Sequence, residues 1–290
     1  MGRFASRARA NSLLRLLVAL ALLPTRVTAR AEPLVWGVFD FPPFQILEGP
    51  HQGSGSFDGE LQFLIEKMPE FEHKVVPMSF ARRREEFLAG TNLCTPGIFR
   101  APAQALKLAI SVPALTHLDN RVIFLKEKAP LFGDDNPINL EVLFKRSDLL
   151  GAAVPGRSYA PNIDEAVQHA RGRPNLMIRA LETTQLFQML LNGDVDYLFL
   201  FSHEAAFLAR TFGADGRVLN RPIAGTPRSI FTHVACTGNA WGRAVIQKVN
   251  AILLTARAEP DYRKYSERWY VSEDQEKIRS YYPNMLEQLQ

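Results

Sequence analysis

The stretch that decides the fold reads Leu34-Val35-Trp36-Gly37-Val38-Phe39, followed by Asp40-Phe41-Pro42-Pro43-Phe44. The first six residues are apolar apart from one glycine and predict a short buried strand, which the aspartate and the two prolines then end. A turn region rich in glycine and serine follows at residues 51–59. Residues 60–68 then carry apolar side chains at the spacing of a helix face and stop at Pro69. A strand, a loop and a helix therefore follow one another.

The same unit recurs along the chain. Further strands are predicted at residues 73–78, 92–94, 121–125, 151–154, 176–180, 195–201 and 232–236, and helices at residues 81–89, 104–109, 162–170, 183–191, 203–210 and 241–256. A charged stretch at residues 126–137, with Pro130 and Gly133, looks like a domain border. Strands that alternate with helices in this way predict an α/β protein. Residues 261–290 are predicted to be helical and packed outside.

The net charge of +4 over 290 residues belongs to the first segment of the chain. Residues 1–31 hold six arginines and no acidic residue, so the remaining 259 residues have 28 basic and 30 acidic side chains and a formal charge of −2. A protein that binds the phosphate backbone needs a basic surface. The composition therefore excludes a nucleic-acid partner, and we expect none.

Residues 1–31 have the pattern of a secretory signal peptide. Arginines precede an apolar run at residues 16–23, and Ala29-Arg30-Ala31 forms an A-x-A cleavage pattern. Eight apolar residues span about 12 Å as a helix, against about 30 Å for a hydrocarbon core. We therefore expect cleavage after Ala31 and a soluble periplasmic protein. An uncleaved membrane anchor is the alternative.

Cysteine and histidine are too few or too scattered for a metal or cofactor site. The chain has two cysteines, Cys94 and Cys236, and six histidines without paired spacing. Gly53-Ser54-Gly55-Ser56 does not have the spacing of a hydrolase nucleophile motif. We expect no metal, no cofactor and no catalytic residue.

Several motifs, taken in order, resemble the family 3 extracellular solute-binding proteins. They are Phe41-Pro42-Pro43-Phe44, Asp58-Gly59-Glu60-Leu61, Ser111-Val112-Pro113 and Leu191-Asn192-Gly193-Asp194-Val195-Asp196-Tyr197. The resemblance implies the type II periplasmic-binding-protein fold, with two α/β lobes joined by two crossing strands and closed on a ligand by hinge bending. Lobe 1 would comprise residues 32–124 and 223–290, and lobe 2 residues 125–222. The crossing strands would be residues 121–125 and 217–223.

The same resemblance implies a disulfide. In that fold, the strand at residues 232–236 lies beside the strand at residues 92–94, which would bring Cys94 close to Cys236. Two buried free thiols are the alternative, because free cysteine is often buried.

The sequence departs from the amino-acid binders of the family at both residues that grip an amino acid. Their carboxylate-binding arginine corresponds to Gln104, and their ammonium-binding aspartate corresponds to Phe201. An ordinary α-amino acid is therefore not expected as the ligand, although Arg100 could take the arginine's place. The expected site is aromatic, hydroxyl-bearing and basic, which suits a small organic molecule with an apolar body and one acidic group. Its residues would be Phe41, Phe44, Arg100, Arg157, Ser158, Tyr159 and Ser202.

Three functions remain open at this point. The first is a monomeric binding protein that delivers a small molecule to a membrane transporter or a sensor. The second is an enzyme on the same scaffold, of dehydratase type, which a cleft carboxyl with a raised pKa would favour. The third is a module that acts only through protein contacts, for which a filled cleft would be the sign.

Overall fold

The computed structural model describes residues 32–155, 157 and 159–288. The predicted signal segment at residues 1–31 and its cleavage point lie outside the described residues. In the part of the chain that is described, no helix is both long enough and apolar enough to cross a membrane.

Strands and helices alternate along most of the chain. The strands are β1 (Glu32–Val38), β2 (Phe71–Pro77), β3 (Cys94–Phe99), β4 (Ala109–Ile110), β5 (Leu115–Leu118), β6 (Asn120–Leu125), β7 (Gly151–Ala153), β8 (Leu176–Ile178), β9 (Tyr197–Phe201), β10 (Val218–Pro222) and β11 (Ser229–Cys236). The helices are α1 (Ser56–Lys67), α2 (Phe80–Leu88), α3 (Arg100–Ala105), α4 (Leu140–Leu143), α5 (Pro161–His169), α6 (Thr183–Asn192), α7 (Ser202–Thr211), α8 (Ala240–Ala256), α9 (Pro260–Glu267), α10 (Ser272–Arg279) and α11 (Tyr282–Glu287). The predicted α/β class is confirmed.

These strands form two sheets. The first has the order β2-β1-β3-β11-β4, with β5 also paired to β11, and the second has the order β10-β6-β9-β7-β8. We call the first sheet with its helices the first half and the second sheet with its helices the second half. The chain passes from the first sheet to the second at Asp119 and returns through residues 223–228. The lobe boundaries at residues 124 and 223 stay a prediction.

The strand β1 is buried as its sequence requires. Leu34, Trp36 and Val38 are completely buried and pack in the core of the first half against α1 and α8. Periodic apolar residues likewise place α8 on this core, where Val245, Val249 and Leu253 are buried. The core of the first half therefore consists of residues from both ends of the chain.

The predicted helix at residues 104–109 is wrong. The helix α3 begins earlier, at Arg100, and ends at Ala105, while Ala109 and Ile110 form the short strand β4. These two residues pair with Cys236 and Ala235 of β11. Their strand conformation thus depends on a partner more than 120 positions away, which a local pattern does not contain.

The C-terminal segment is helical as predicted, but its aromatic side chains are buried. Tyr270, Ile278, Tyr282 and Met285 form a cluster with Leu118 of β5. The hydroxyl of Tyr270 accepts a hydrogen bond from the backbone N–H of Leu118 at 3.0 Å. This segment therefore supports the point where the chain leaves the first sheet.

Arg257 fastens the end of the C-terminal segment. Its guanidinium is buried and donates hydrogen bonds to the carbonyl oxygens of Pro113, Met285, Leu286 and Gln288. Four carbonyl oxygens satisfy most of its donors, which makes burial of this cation tolerable.

Cys94 and Cys236 form the predicted disulfide. They lie opposite each other on β3 and β11, with their Cα atoms 4.0 Å apart, and both are fully buried. The bond joins residues 142 positions apart. In the chain-entropy model, closing so long a loop stabilises the folded protein by about 4 to 5 kcal/mol.

We expect no reactive thiol when the denatured, unreduced protein is titrated with a thiol reagent, and two after reduction. The free energy of unfolding should fall when both cysteines are replaced by alanine. Two thiols without reduction would contradict the bridge.

A carboxyl group without a partner lies in the first half. Glu60 of α1 is fully buried, and neither of its side-chain oxygens has a hydrogen-bond partner among the described residues. Burial raises the pKa of Glu60 to about 8. Because the pKa in the folded protein lies above the ordinary value of 4.5, folding favours the protonated form. The stability that protonated Glu60 contributes is fully present below pH 4.5 and is lost as the pH rises through about 8.

Glu60→Gln should therefore raise the free energy of unfolding at pH 7 by about 1 to 3 kcal/mol, since glutamine keeps the shape of the protonated carboxyl without ionising. Urea titrations between pH 4 and 8 measure it, and the gain should vanish near pH 4. Glu85→Gln, at an exposed position of α2, is the control. Loss of stability at pH 7 would contradict the assignment.

Candidate ligand site between the two sheets

The loop after β1 is fixed by one carboxylate. Asp58, in the first turn of α1, accepts hydrogen bonds from the backbone N–H groups of Ile46 at 2.8 Å and Gly55 at 2.9 Å. It also accepts one from the side chain of Gln45 at 3.2 Å. Because these contacts join the loop to the start of a helix, they fix the positions of Phe41 and Phe44.

Phe44 lies where the two halves meet and is completely buried. Its ring centre lies 5.0 Å from that of Phe57 of α1 and 5.1 Å from that of His117 of β5, both in the first half. From the second half it contacts Phe201 at 5.1 Å and His203 at 4.4 Å. Other rings thus surround Phe44, which joins the two halves and supports its neighbour Phe41.

A row of aromatic rings leads from this junction to the surface. Phe41 is half-buried and stacks on Phe44 at 4.9 Å and on Phe39 at 5.7 Å. Phe39 packs edge-on against Phe80, which is 64% exposed at the start of α2. Sequence reasoning missed Phe80 because the helix that it begins is otherwise strongly polar.

Arg83 supports the outer end of this row. Its guanidinium lies 4.4 Å from the ring centre of Phe39 and 4.6 Å from that of Phe80, and it donates to the hydroxyl of Thr95 at 2.9 Å. Burial lowers the pKa of Arg83 to about 10, so the side chain stays a cation at neutral pH. Phe39 and Phe80 also line a concavity of about 530 Å³ together with Leu47 and Met78.

In the second half, Arg157 is already paired. Its guanidinium donates two hydrogen bonds to the carboxylate of Glu204, at 2.9 Å and 2.6 Å, and a third to Thr183 at 3.1 Å. The two side chains of the ion pair are 14% and 3% exposed. Burial lowers and Glu204 raises the pKa of Arg157, and the net shift is upward. Its charge is therefore balanced within the protein.

Tyr159 is engaged by its own loop and by the chain crossing. Its hydroxyl accepts from the backbone N–H of Val154 at 2.9 Å, and its backbone N–H donates to Asp164 at 2.8 Å. Its carbonyl oxygen accepts from the side-chain amide of Asn120 at 2.5 Å. The loop that carries Arg157 and Tyr159 is thus tied to the start of β6. Ser158, the third predicted site residue here, lies outside the described residues.

Several buried polar atoms at the junction have no hydrogen-bond partner in the part of the chain that the structure describes. They include the hydroxyl of Ser202, the side-chain oxygen of Asn120, Nδ1 of His117 and both ring nitrogens of His203. All four residues are at most 3% exposed. Burying polar groups without hydrogen bonds costs free energy, so these atoms oppose the packing of the junction.

Arg100 differs from Arg157 in having no partner. It is half-buried at the start of α3, and within the described ranges its side chain has no hydrogen bond or ion pair. It is close enough to His233 to lower the pKa of that imidazole, after burial as the larger cause. The preceding residue, Phe99, stacks on Phe201 at 6.2 Å. Arg100 thus brings an unbalanced positive charge to the edge of the junction.

The two positions that would bind an amino acid are placed differently from each other. Gln104 is exposed on α3, whereas Phe201, at the end of β9 in the second half, is 5% exposed and packs against the core of the first half. Neither supplies a charge to the junction.

A carboxyl with a raised pKa lies at the crossing of the chain. Burial raises the pKa of Asp119 to about 6, although the backbone N–H of Asn120 and the charge of Arg121 lower it. These three residues line a concavity of about 390 Å³ beside the crossing segments. Among the residues that the structure describes, no group of three or more histidine, cysteine or acidic side chains could hold a metal ion.

Comparison with solved structures identifies the fold. One similar structure comes from work on glutathione import in Gram-positive bacteria via GshT and the cystine ABC importer TcyBC of Streptococcus mutans. It superposes with a TM-score of 0.63 at 10% sequence identity and covers 83% of this chain and 95% of that one. An ancestral amino-acid-binding protein, a precursor of cyclohexadienyl dehydratase, superposes with a TM-score of 0.58 at 17% sequence identity and covers 82% of this chain and 95% of that one. A histidine kinase sensor domain similar to periplasmic binding proteins gives 0.58 at 12%, with the same coverage.

The chain has the type II periplasmic-binding-protein fold. This confirms the fold that the resemblance to the family 3 solute-binding proteins implied, and the matched structures are mostly binding proteins. No family model matches the sequence, and no curated protein matches it in a sequence search. At these identities the likeness establishes the fold alone.

We expect Glu204→Gln to lower the free energy of unfolding by about 3 kcal/mol, because it leaves the buried Arg157 cation without its countercharge. Replacing both residues by methionine should recover much of the loss. Urea denaturation measures both variants, with Glu165→Gln on the exposed face of α5 as the control. A loss no larger than that of the control would show that the pair contributes nothing.

Proposed function

We propose that this protein is a periplasmic binding protein that captures a small organic molecule with an aromatic or apolar body and one acidic group. The two halves close on the ligand by hinge bending, and no chemical step follows. The observation that carries the proposal is the contrast between the two arginines. Arg157 is neutralised by Glu204, whereas the half-buried side chain of Arg100, beside an aromatic junction, has no partner among the residues that the structure describes.

Arg100 is the group that binds the acidic part of the ligand. A guanidinium holds a carboxylate through charge-assisted hydrogen bonds, which are about twice as strong as neutral ones. Phe41, on its support Phe44, offers a half-buried ring for the apolar part. Tyr159, Ser158 and Ser202 would supply the remaining polar contacts. One unbalanced cation matches one acidic group.

Ordinary α-amino acids bind weakly or not at all. Gln104 and Phe201 cannot replace an arginine and an aspartate. The loss of a charge-assisted partner costs roughly 1.5 to 3 kcal/mol per bond, or about ten- to a hundredfold in affinity. An amino acid therefore loses here the two charged partners that the amino-acid binders of the family offer to its carboxylate and its ammonium group.

The protein is exported by a signal peptide cleaved after Ala31 and works as a monomer in the periplasm. It presents its ligand to a membrane transporter or to a sensor, and no nucleic acid takes part. Similar structures from an importer system and from a kinase sensor domain support both routes.

A dehydratase-type enzyme is less well supported. Its general acid or base would need a raised pKa inside the cleft. The Asp119 carboxyl has a raised pKa but lies at the chain crossing, in the concavity formed with Asn120 and Arg121.

A module that acts only through protein contacts is the second candidate. The observation in its favour is the packing of the junction, where Phe44, Phe201 and His203 fill the space between the halves. A ligand that stabilises the protein would decide against it.

We expect aromatic and aliphatic carboxylates, and none of the twenty amino acids, to raise the thermal midpoint in a screen, because binding to the folded state alone stabilises it. Arg100→Ala should reduce the affinity of an active carboxylate at least tenfold, measured by calorimetry. Arg84→Ala, exposed on α2, is the control and should leave the affinity unchanged. Micromolar binding of an unmodified α-amino acid would overturn the proposed ligand class.

A further inference from the structure

Two histidines face each other across the junction of the halves. His117 is the second-last residue of β5 in the first half, and His203 lies in the first turn of α7 in the second half. Their imidazole rings lie 5.5 Å apart, 23° from parallel. His117 is completely buried and His203 is 2% exposed. The pair therefore forms part of the contact that holds the two halves together.

Little around the pair could accept a proton from an imidazolium. Both ring nitrogens of His203 and Nδ1 of His117 have no hydrogen-bond partner among the described residues. Nε2 of His117 lies 3.3 Å from the hydroxyl of Thr232 on β11. The remaining neighbours are rings: Phe44 of the loop after β1, Phe57 of α1, Phe201 of β9 and Tyr270 of the C-terminal segment.

The charged groups near the pair are already engaged. Glu204 follows His203 but is held by Arg157, and Asp119, two residues after His117, accepts from the backbone N–H of Asn120. Tyr270 is the titratable group that faces His203, at 4.6 Å between ring centres, and burial raises its pKa, so it stays neutral. No carboxylate is therefore in contact with either imidazole in the described structure.

We propose that His117 and His203 form a pH-sensitive latch, which holds the two halves closed while both rings are neutral and releases them when the rings take up protons. This inference concerns the regulation of hinge closure and rests on the proposed function. It implies that the protein binds its ligand at neutral pH and gives it up in an acidified compartment.

The direction of the effect follows from the burial of the rings. Burial lowers the pKa of His117 to about 3 and, with the charge of His117 as the second cause, lowers that of His203 well below 6.5. In an opened protein both rings meet water and regain a pKa of about 6.5. Opening therefore takes up protons, and the closed state loses stability as the pH falls below about 6.5.

The size of the effect can be stated as a ratio. At pH 5.5, an imidazole with a pKa of about 6.5 favours the open state about tenfold, and two such rings favour it about a hundredfold. Between pH 7.5 and 5.5, the ratio of closed to open molecules should therefore fall about a hundredfold in the unaltered protein.

The test measures the separation of the halves without any ligand. Glu85→Cys and Glu165→Cys, at exposed positions of α2 and α5, carry the labels, since both native cysteines are in the disulfide. Fluorescence energy transfer between the labels should show the distance lengthening between pH 7.5 and 5.5, while far-ultraviolet circular dichroism stays constant.

His203→Phe removes one titrating ring and keeps a ring in its place, and it loses no hydrogen bond, because neither nitrogen of His203 has a described partner. In this variant the ratio of closed to open molecules should fall only about tenfold between pH 7.5 and 5.5. His117→Gln is the second variant and should do the same. His169→Gln, on the exposed end of α5, should respond like the unaltered protein.

An unchanged distance at pH 5.5, or a full response in both His203→Phe and His117→Gln, would overturn the latch. Loss of helical signal together with the distance change would overturn it too, because acid would then unfold the protein and not open it. Since no ligand is present, these outcomes are distinct from a failed ligand screen, which would count against the proposed function.

Discussion

The structure depends on the pairing of β11 within the first sheet. This strand follows the whole second half in the sequence, yet it lies between β3 and β4 and also pairs with β5. Its insertion returns the chain to the first half, sets Cys236 opposite Cys94 and gives Ala109 and Ile110 their strand partner. The strand also leads directly into α8, whose apolar residues pack on the core of the first half.

The junction itself is built from rings that leave few polar contacts. Phe44 joins the halves through its contacts with Phe201 and His203, and the unpartnered atoms of Ser202 and Asn120 lie nearby. Apolar contact between the halves favours closure, while unmet hydrogen bonds oppose it. Such a balance is what a protein needs if it is to open and close at small free-energy cost. In the proposed function, Arg100, which has no side-chain partner among the described residues, adds an electrostatic attraction for an anion at the edge of the junction.

The sequence predicted the elements whose own pattern determines them. The strand β1 is a continuous apolar run and the helices α6 and α8 have periodic apolar residues, and the structure has all three within one or two positions of the predicted bounds. The strand β4 was missed because its two residues are ordered only by β11. The pairing of Arg157 with Glu204, 47 residues later, has no local signal, and neither does the burial of Phe44 by rings from both halves. The disulfide was expected only through the resemblance to a known family.

The two sheets differ in how their strands are drawn from the chain. The second sheet uses one continuous stretch, from β6 to β10, whereas the first needs β1 to β5 and then β11. A sheet made from neighbouring segments needs only short loops to close and forms early. A sheet that includes a distant strand has a larger loop-closure entropy cost and forms later. During synthesis, the edge of β3 therefore remains unpaired until more than a hundred further residues have followed. Over that interval the first half presents an open strand edge, which is a template for pairing with other chains.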